Sequence, residues 1–191
     1  VIGNANADDW AITGNGDIDG DDASELIFRN DNDGQVHHWD VGSEGRESGA
    51  DVTGHHLGDD WSVIGTANVD GDGDDDVLFR NTESGDLHTW EMADGGTGRE
   101  GYGDIESRDF DTWKVDSVRD VNGDGTDDVI WHNVETGKVE ATTVQDGGKA
   151  GTTSVGNVGH QLATAGDFDG DGKTEQAFRD ADNGDVLVEQ R

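Results

Sequence analysis

Four stretches of this chain set oxygen-bearing side chains at one fixed spacing: DIDGDDASE (17–25), NVDGDGDDD (68–76), DVNGDGTDD (120–128) and DFDGDGKTE (167–175). Positions 1, 3, 5 and 9 carry a carboxylate or an amide in every copy. In order these are Asp17, Asp19, Asp21 and Glu25; Asn68, Asp70, Asp72 and Asp76; Asp120, Asn122, Asp124 and Asp128; Asp167, Asp169, Asp171 and Glu175. Position 7, held by Ala23, Asp74, Thr126 and Lys173, would offer a backbone carbonyl. Hard oxygen donors at this spacing suit Ca²⁺, which takes six to eight oxygens at about 2.3–2.6 Å. Mg²⁺ demands a tight octahedron and gives up water reluctantly, so it fits less well. Transition metals would call for His or Cys, and neither sits in the loops.

Position 6 is Gly73, Gly125 and Gly172 in three loops, where a sharp turn must wrap the chain round an ion. Loop one has Asp22 there instead, a residue that tolerates left-handed backbone better than most. An EF-hand is excluded, because that loop needs a bidentate Glu at position 12 between two helices. Position 12 here is Phe28, Phe79, Trp131 and Phe178, and the flanks read as strands. Asp and Gly favour ordinary turns as well. Four copies in phase, with the same oxygen positions, argue for metal.

The elements that must position these loops repeat with them. Trp10, Trp61 and Trp113 each stand seven residues before a loop, and His160 fills that slot in the fourth copy. After each loop comes a short apolar run: ELIFRN, DVLFRN, DVIWHN and EQAFRD. A turn at Gly34, Gly85, Gly137 or Gly184 follows, then QVHHWDV, DLHTWEM, KVEATTV or DVLVEQR. Period-two alternation bounded by Asn, Asp and Gly predicts strands, and no helical period is present. Each repeat thus holds three clear strands and a weaker fourth, as in VTGHH (52–56). About 50 residues and four strands per unit is the period of a β-propeller blade. The expected fold is all-β, a β-propeller of four repeats in one domain over 1–191. The repeats run approximately over 10–60, 61–112, 113–159 and 160–191 plus 1–9.

VIGNANADDW (1–10) aligns without a gap on VTGHHLGDDW (52–61), so the chain starts in the strand that precedes a new repeat. Residues 1–5 would complete the last blade of the same chain, or a blade of a neighbouring molecule by strand addition. The chain lacks a starting Met and reads as a segment of a longer precursor.

Asp-x-Asp-Gly-Asp-Gly-x-x-Asp before an apolar run, with a preceding Trp and a later Gly turn, resembles the FG-GAP/VCBS repeats. These build the calcium-binding β-propellers of integrin α-subunits and of many secreted bacterial and archaeal proteins. The resemblance spans nearly the whole chain. It implies about four structural Ca²⁺ ions, one per repeat, on the positions named above. It also implies an extracellular or cell-surface setting and a role in adhesion or in glycan or protein binding. Family propellers usually have six to eight blades, where this chain has four repeats.

The net charge is −33, from 45 acidic residues against 12 basic ones. Fourteen of those acids are predicted ligands, which leaves −19 outside the loops. Solubility in concentrated salt, or further divalent ions at contacts between molecules, would account for that remainder. The second account makes the chain a subunit of an extracellular filament or surface layer. Nucleic acid is not an expected partner, since phosphate binding needs clustered Lys and Arg. There is no Cys and no apolar run of membrane-spanning length. The six Trp residues fall at repeat-equivalent positions, as blade packing requires. The His residues, paired as His37–His38 and His55–His56, are expected at strand surfaces. Arg29, Arg80 and Arg179 are expected to pair with acidic loops. No nucleophile elbow or Ser–His–Asp pattern stands out, and the chain is not expected to be an enzyme.

Overall fold

A computed structural model describes residues 9–52, 57–93, 95–156, 160–166, 168–170, 175–180 and 184–189. Among these residues every long element is a strand and there is no helix, so none is long and apolar enough to cross a membrane.

The chain divides into two compact units. The first comprises Val1–Asn68 and Asp72–Ser107. It opens with β1 (Trp10–Gly16), β2 (Glu25–Asn30) and β3 (Val36–Trp39). A small hairpin of β4 (Val41–Gly42) and β5 (Gly45–Arg46) follows, then β6 (Ala50–Val52). These form the antiparallel sheet β1-β2-β3-β6, with the hairpin apart from it. The second sheet holds β7 (Trp61–Ala67), β8 (Asp76–Asn81), β9 (Asp86–Met92) and β10 (Arg99–Ser107), paired in chain order.

The second unit comprises Val69–Gly71 and Arg108–Arg191. Its first sheet pairs β11 (Trp113–Arg119), β12 (Asp128–Asn133), β13 (Val139–Gln145) and β14 (Gly148–Gly156) in chain order. Its second pairs β15 (His160–Gly166), β16 (Glu175–Asp180) and β17 (Val186–Glu189). Each sheet is an antiparallel meander, the construction of a propeller blade. The all-β, blade-by-blade architecture predicted from the repeats is therefore what the structure has. The expected closing strand at residues 1–5 lies outside the described residues. The fourth strand of repeat one is described at Ala50–Val52, and residues 53–56 of the stretch expected to carry it, with His55 and His56, lie outside the described residues.

The register repeats as closely as the sequence does. Trp10 faces Asn30, Trp61 faces Asn81, Trp113 faces Asn133 and His160 faces Asp180. In each first strand one residue is skipped in the pairing: Thr13, Ile64, Asp116 and Ala163. Such a bulge adds twist and re-aims the strand as it enters the loop. The turn glycines adopt left-handed backbone, with φ 74° at Gly34 and 69° at Gly137.

Alternation along the strands builds the cores. In unit 1, Ile27, Val36, Val77, Phe79, Trp90 and Met92 pack with Ile18, which is position 2 of loop one. In unit 2, Ile130, Val139 and Ala141 pack with Val121, the equivalent position of loop three. Each fully buried aliphatic or aromatic side chain contributes about 1.5–3 kcal/mol. Loops one and three are thus anchored to the cores from their second residue onward, whereas the equivalent Phe168 of loop four is exposed.

Candidate metal centre

The ninth residue of every loop is the first residue of a second strand, and all four are buried. Glu25 is 1% exposed, Asp76 and Asp128 0%, and Glu175 2%. A buried carboxylate needs partners, and the backbone supplies them. Glu25 accepts a hydrogen bond from Ile18 N at 3.0 Å, Asp128 from Val121 N at 3.2 Å, and Glu175 from Phe168 N at 2.7 Å. Asp76 and Asp128 also accept Met92 N at 2.9 Å and Val144 N at 3.0 Å, at the ends of β9 and β13. This carboxylate ties the loop's second residue to the sheet behind it.

The first and fifth residues fold the loop itself. Asp17 accepts from the amides of Gly20, Asp21 and Asp22 at 2.9–3.1 Å. Asp120 accepts from those of Asn122, Gly123 and Gly125 at 2.7–3.1 Å. Asp21, Asp72 and Asp124 accept from the amide two residues on, at Ala23, Asp74 and Thr126. Position 6 is left-handed throughout the described loops: φ is 68° at Asp22, 110° at Gly73 and 94° at Gly125. Asp22 therefore fills the glycine slot, as expected of an aspartate.

In loop one the acids converge. Asp17, Asp19 and Glu25 each offer an oxygen, and the three oxygens lie within 4.8 Å of one another. Asp21 does not join that group. Oδ1 of Asp19 is buried and accepts no hydrogen bond. Burial, reinforced by Asp19, Asp17 and Asp21, pushes the Glu25 carboxyl up to about 7 against the bond from Ile18. Burial, then Asp21 and Asp40, raises Asp19. An unpartnered buried oxygen within a crowd of carboxylates is what a cation would relieve, and a bound divalent ion reverses this pKa logic. The donor set is all oxygen, which fits Ca²⁺.

The other loops differ. Asp75, absent from the sequence-derived set, joins loop two to loop one: its amide donates to Asp17 O at 2.6 Å, and its carboxylate accepts Asp17 N at 3.1 Å. Burial raises Asp75, opposed by the bonds from Asp17 and Thr66. Position 8 varies in type from copy to copy, so the repeat pattern held no signal for it.

Loop three is tied by its own groups. Asn122 Nδ2 donates to Asp124 at 2.9 Å, and the Thr126 hydroxyl reaches Asp124 and Val144 O at 2.7 Å each. The Thr126 hydroxyl holds Asp124 below the usual carboxylate range. Burial pushes Asp128 up to about 6 against the Val144 and Val121 amides. Asp120, Asp124 and Asp128 do not gather as the acids of loop one do. In loop four Asp167, Asp171 and Lys173 lie outside the described residues, and Asp169 is exposed.

Two expectations about other side chains need correction. Arg29 does not reach an acidic loop. Its Nη2 donates to the carbonyls of Leu57 and Gly58 at 3.1 and 3.0 Å, bracing the link into β7. His38 is buried rather than at the surface, with Nδ1 3.1 Å from Asp40 Oδ1, and desolvation lowers its pKa against the pull of Asp40. His37 is the partly open one of the pair. The expectation for tryptophan holds: Trp39, Trp90 and Trp131 are buried, and Trp10, Trp61 and Trp113 are half-buried.

No protein-family model matches the chain, and no curated protein matches it at a significant level.

Proposed function

We propose that this chain is an extracellular calcium-binding β-propeller module of the FG-GAP/VCBS kind, acting in adhesion through recognition of a glycan or protein. In this reading Ca²⁺ is structural, and about four ions bind, one per repeat. The observation that carries it is the convergence of Asp17, Asp19 and Glu25 around a buried, unpartnered Asp19 oxygen. Bound calcium would neutralise carboxylates that otherwise repel one another, so binding free energy becomes folding free energy. Chelation is expected to lower the melting temperature strongly, and added Ca²⁺ to restore it. An unchanged melting curve after verified metal removal would defeat the proposal.

A second reading is a subunit of an extracellular filament or surface layer. One observation favours it. Among the described residues β17 has a partner on one side only, and Val186, Leu187 and Val188 along it are 67%, 45% and 48% exposed. An apolar edge of that kind is a template for strand addition. Sedimentation velocity with calcium and then with chelator separates the two readings. A 20.3 kDa monomer supports the module, and large calcium-dependent species support the subunit.

A further inference from the structure

The half-buried tryptophans belong to a repeated trio. In the first blade the Trp10 ring meets His37 edge-on at 5.8 Å, and His37 Nδ1 lies 2.6 Å from Asp51. In the second blade Trp61 meets His88 at 5.8 Å, and His88 Nδ1 lies 2.7 Å from Asp104. An ionised carboxylate only accepts, so each histidine donates from Nδ1 and its ring is held in place. In the third blade Glu140 takes the histidine slot. The trio braces three of the four strands of its blade, and bracing alone would explain it.

The second blade adds something bracing does not need. Beside Trp61 and His88 lies a pocket of about 390 Å³, whose lining also includes Asp86, Asp104 and Glu106, with Leu57 and Leu87 as its apolar part. Asp86 replaces the Gln35 of the first blade. It accepts the Ser84 hydroxyl at 2.6 Å, and the hydroxyls of Ser84 and Ser107 hold it below the usual carboxylate range. Among the described residues no Lys or Arg lines the pocket. Anionic ligands are therefore disfavoured. Small-ligand pockets start at about 300 Å³ and combine apolar or aromatic walls with a few placed polar groups. Carboxylates accept from hydroxyls and ammonium groups, and an indole face stacks on a sugar ring or attracts a cation.

We propose that this pocket binds an amino sugar bearing a free ammonium group, with Trp61 against the ring and Asp86, Asp104 and Glu106 receiving its hydroxyl and ammonium donors. The inference rests on the glycan-binding reading above and names its site and ligand class. The test is isothermal titration of the full, calcium-loaded chain with the β-1,4 disaccharide of glucosamine. The N-acetylated disaccharide and the corresponding glucose disaccharide serve as controls. Saturable binding of the free amine is expected, at least about tenfold tighter than either control, as loss of one charge-assisted hydrogen bond implies. Asp104→Ala and Glu106→Gln should each weaken it by a similar factor. Asp104→Ala also removes the partner of His88 and should lower the calcium-loaded melting temperature somewhat, whereas Glu106→Gln leaves the His88–Asp104 pair intact and reads binding without that loss. Absence of saturable binding, equal affinity for all three sugars, or binding indifferent to both substitutions overturns the proposal. A glycan array hit that survives both substitutions would sink this pocket but keep the broader reading. The broader reading falls if neither glycan nor protein binds the calcium-loaded chain.

Discussion

At the scale of single residues, the position-nine carboxylates hold backbone amides, and the ligand role proposed for them can be tested apart from that. Asp128 takes two backbone amides in a fully buried setting, whereas Asp124 is an exposed loop residue whose bonds stay within its own turn. A buried donor left without its acceptor costs about 1–3 kcal/mol. Asp128→Ala should therefore destabilise even the chelated protein by about that amount, and Asp124→Ala should cost clearly less in chelator, where it loses only bonds within its own turn, and more when calcium is present. Urea unfolding with and without chelator tests both. Equal behaviour of the two variants in chelator would mean that Asp128 serves as a ligand alone. Glu140 offers a test with pH. It pairs with Arg108 at 2.6 Å and with Lys138, and Arg108 lies over Trp113 and Trp131 at 4.3 and 5.1 Å. Burial alone would raise Glu140, but the bonds from Lys138 and Arg108 outweigh it, and the net pKa lies below the ordinary 4.5. A depressed folded pKa gives stability that is present above the unfolded value and lost as pH falls through the folded one. Glu140→Gln should cost about 1 kcal/mol at neutral pH. That gap should close as the pH drops below 4.5. A gap that persists in acid would assign the effect to packing rather than charge.

At the scale of elements, much was legible. The loops fall between first and second strands as the spacing implied, because Asp and Gly set the turns and alternation sets the strands. Phe28, Phe79 and Trp131 are buried behind them. The skipped residue of each first strand was not legible. Thr13, Ile64, Asp116 and Ala163 share no chemistry, and a bulge is fixed by pairing across the sheet. Arg29 was misread because its partners, Leu57 and Gly58, lie 28 and 29 residues away in a link with no motif. His38 was misread because it was judged by residue type, whereas alternation puts it on the same face of β3 as buried Val36 and opposite buried Ile27. The turn glycines separate local from tertiary demands. Gly34 is left-handed, and a Cβ there would collide with Leu57 O; Gly137 is left-handed with open space around it. Gly137→Ala should cost about 1 kcal/mol from backbone strain alone. Gly34→Ala should cost clearly more, because the Leu57–Gly58 link and the Arg29 bonds must shift. Equal melting temperatures for the two variants would show that the close approach has no energetic weight.

At the scale of the whole molecule, charge decides. Fourteen acids sit at predicted ligand positions, so four Ca²⁺ ions would bring −33 only to −25. Like charges at that density oppose the compact state. The ion pairs described, at Arg108 and Lys138, are few against such an excess. Monovalent salt should then stabilise the protein even when calcium is saturating, since at about 1 M the Debye length falls to roughly 3 Å. A gain of about 1–2 kcal/mol would raise the melting temperature by roughly 2–8 °C for a chain of this size. The gain should be larger in chelator, where the loop carboxylates join the repelling set. Sodium chloride titrations of the melting temperature, with calcium and with chelator, give both slopes. A flat or falling slope in calcium would mean that the surface acids are spaced widely enough not to interact. Parallel slopes in the two series would mean that the loops contribute no repulsion of their own, which would remove the main physical reason for calcium to stabilise the fold.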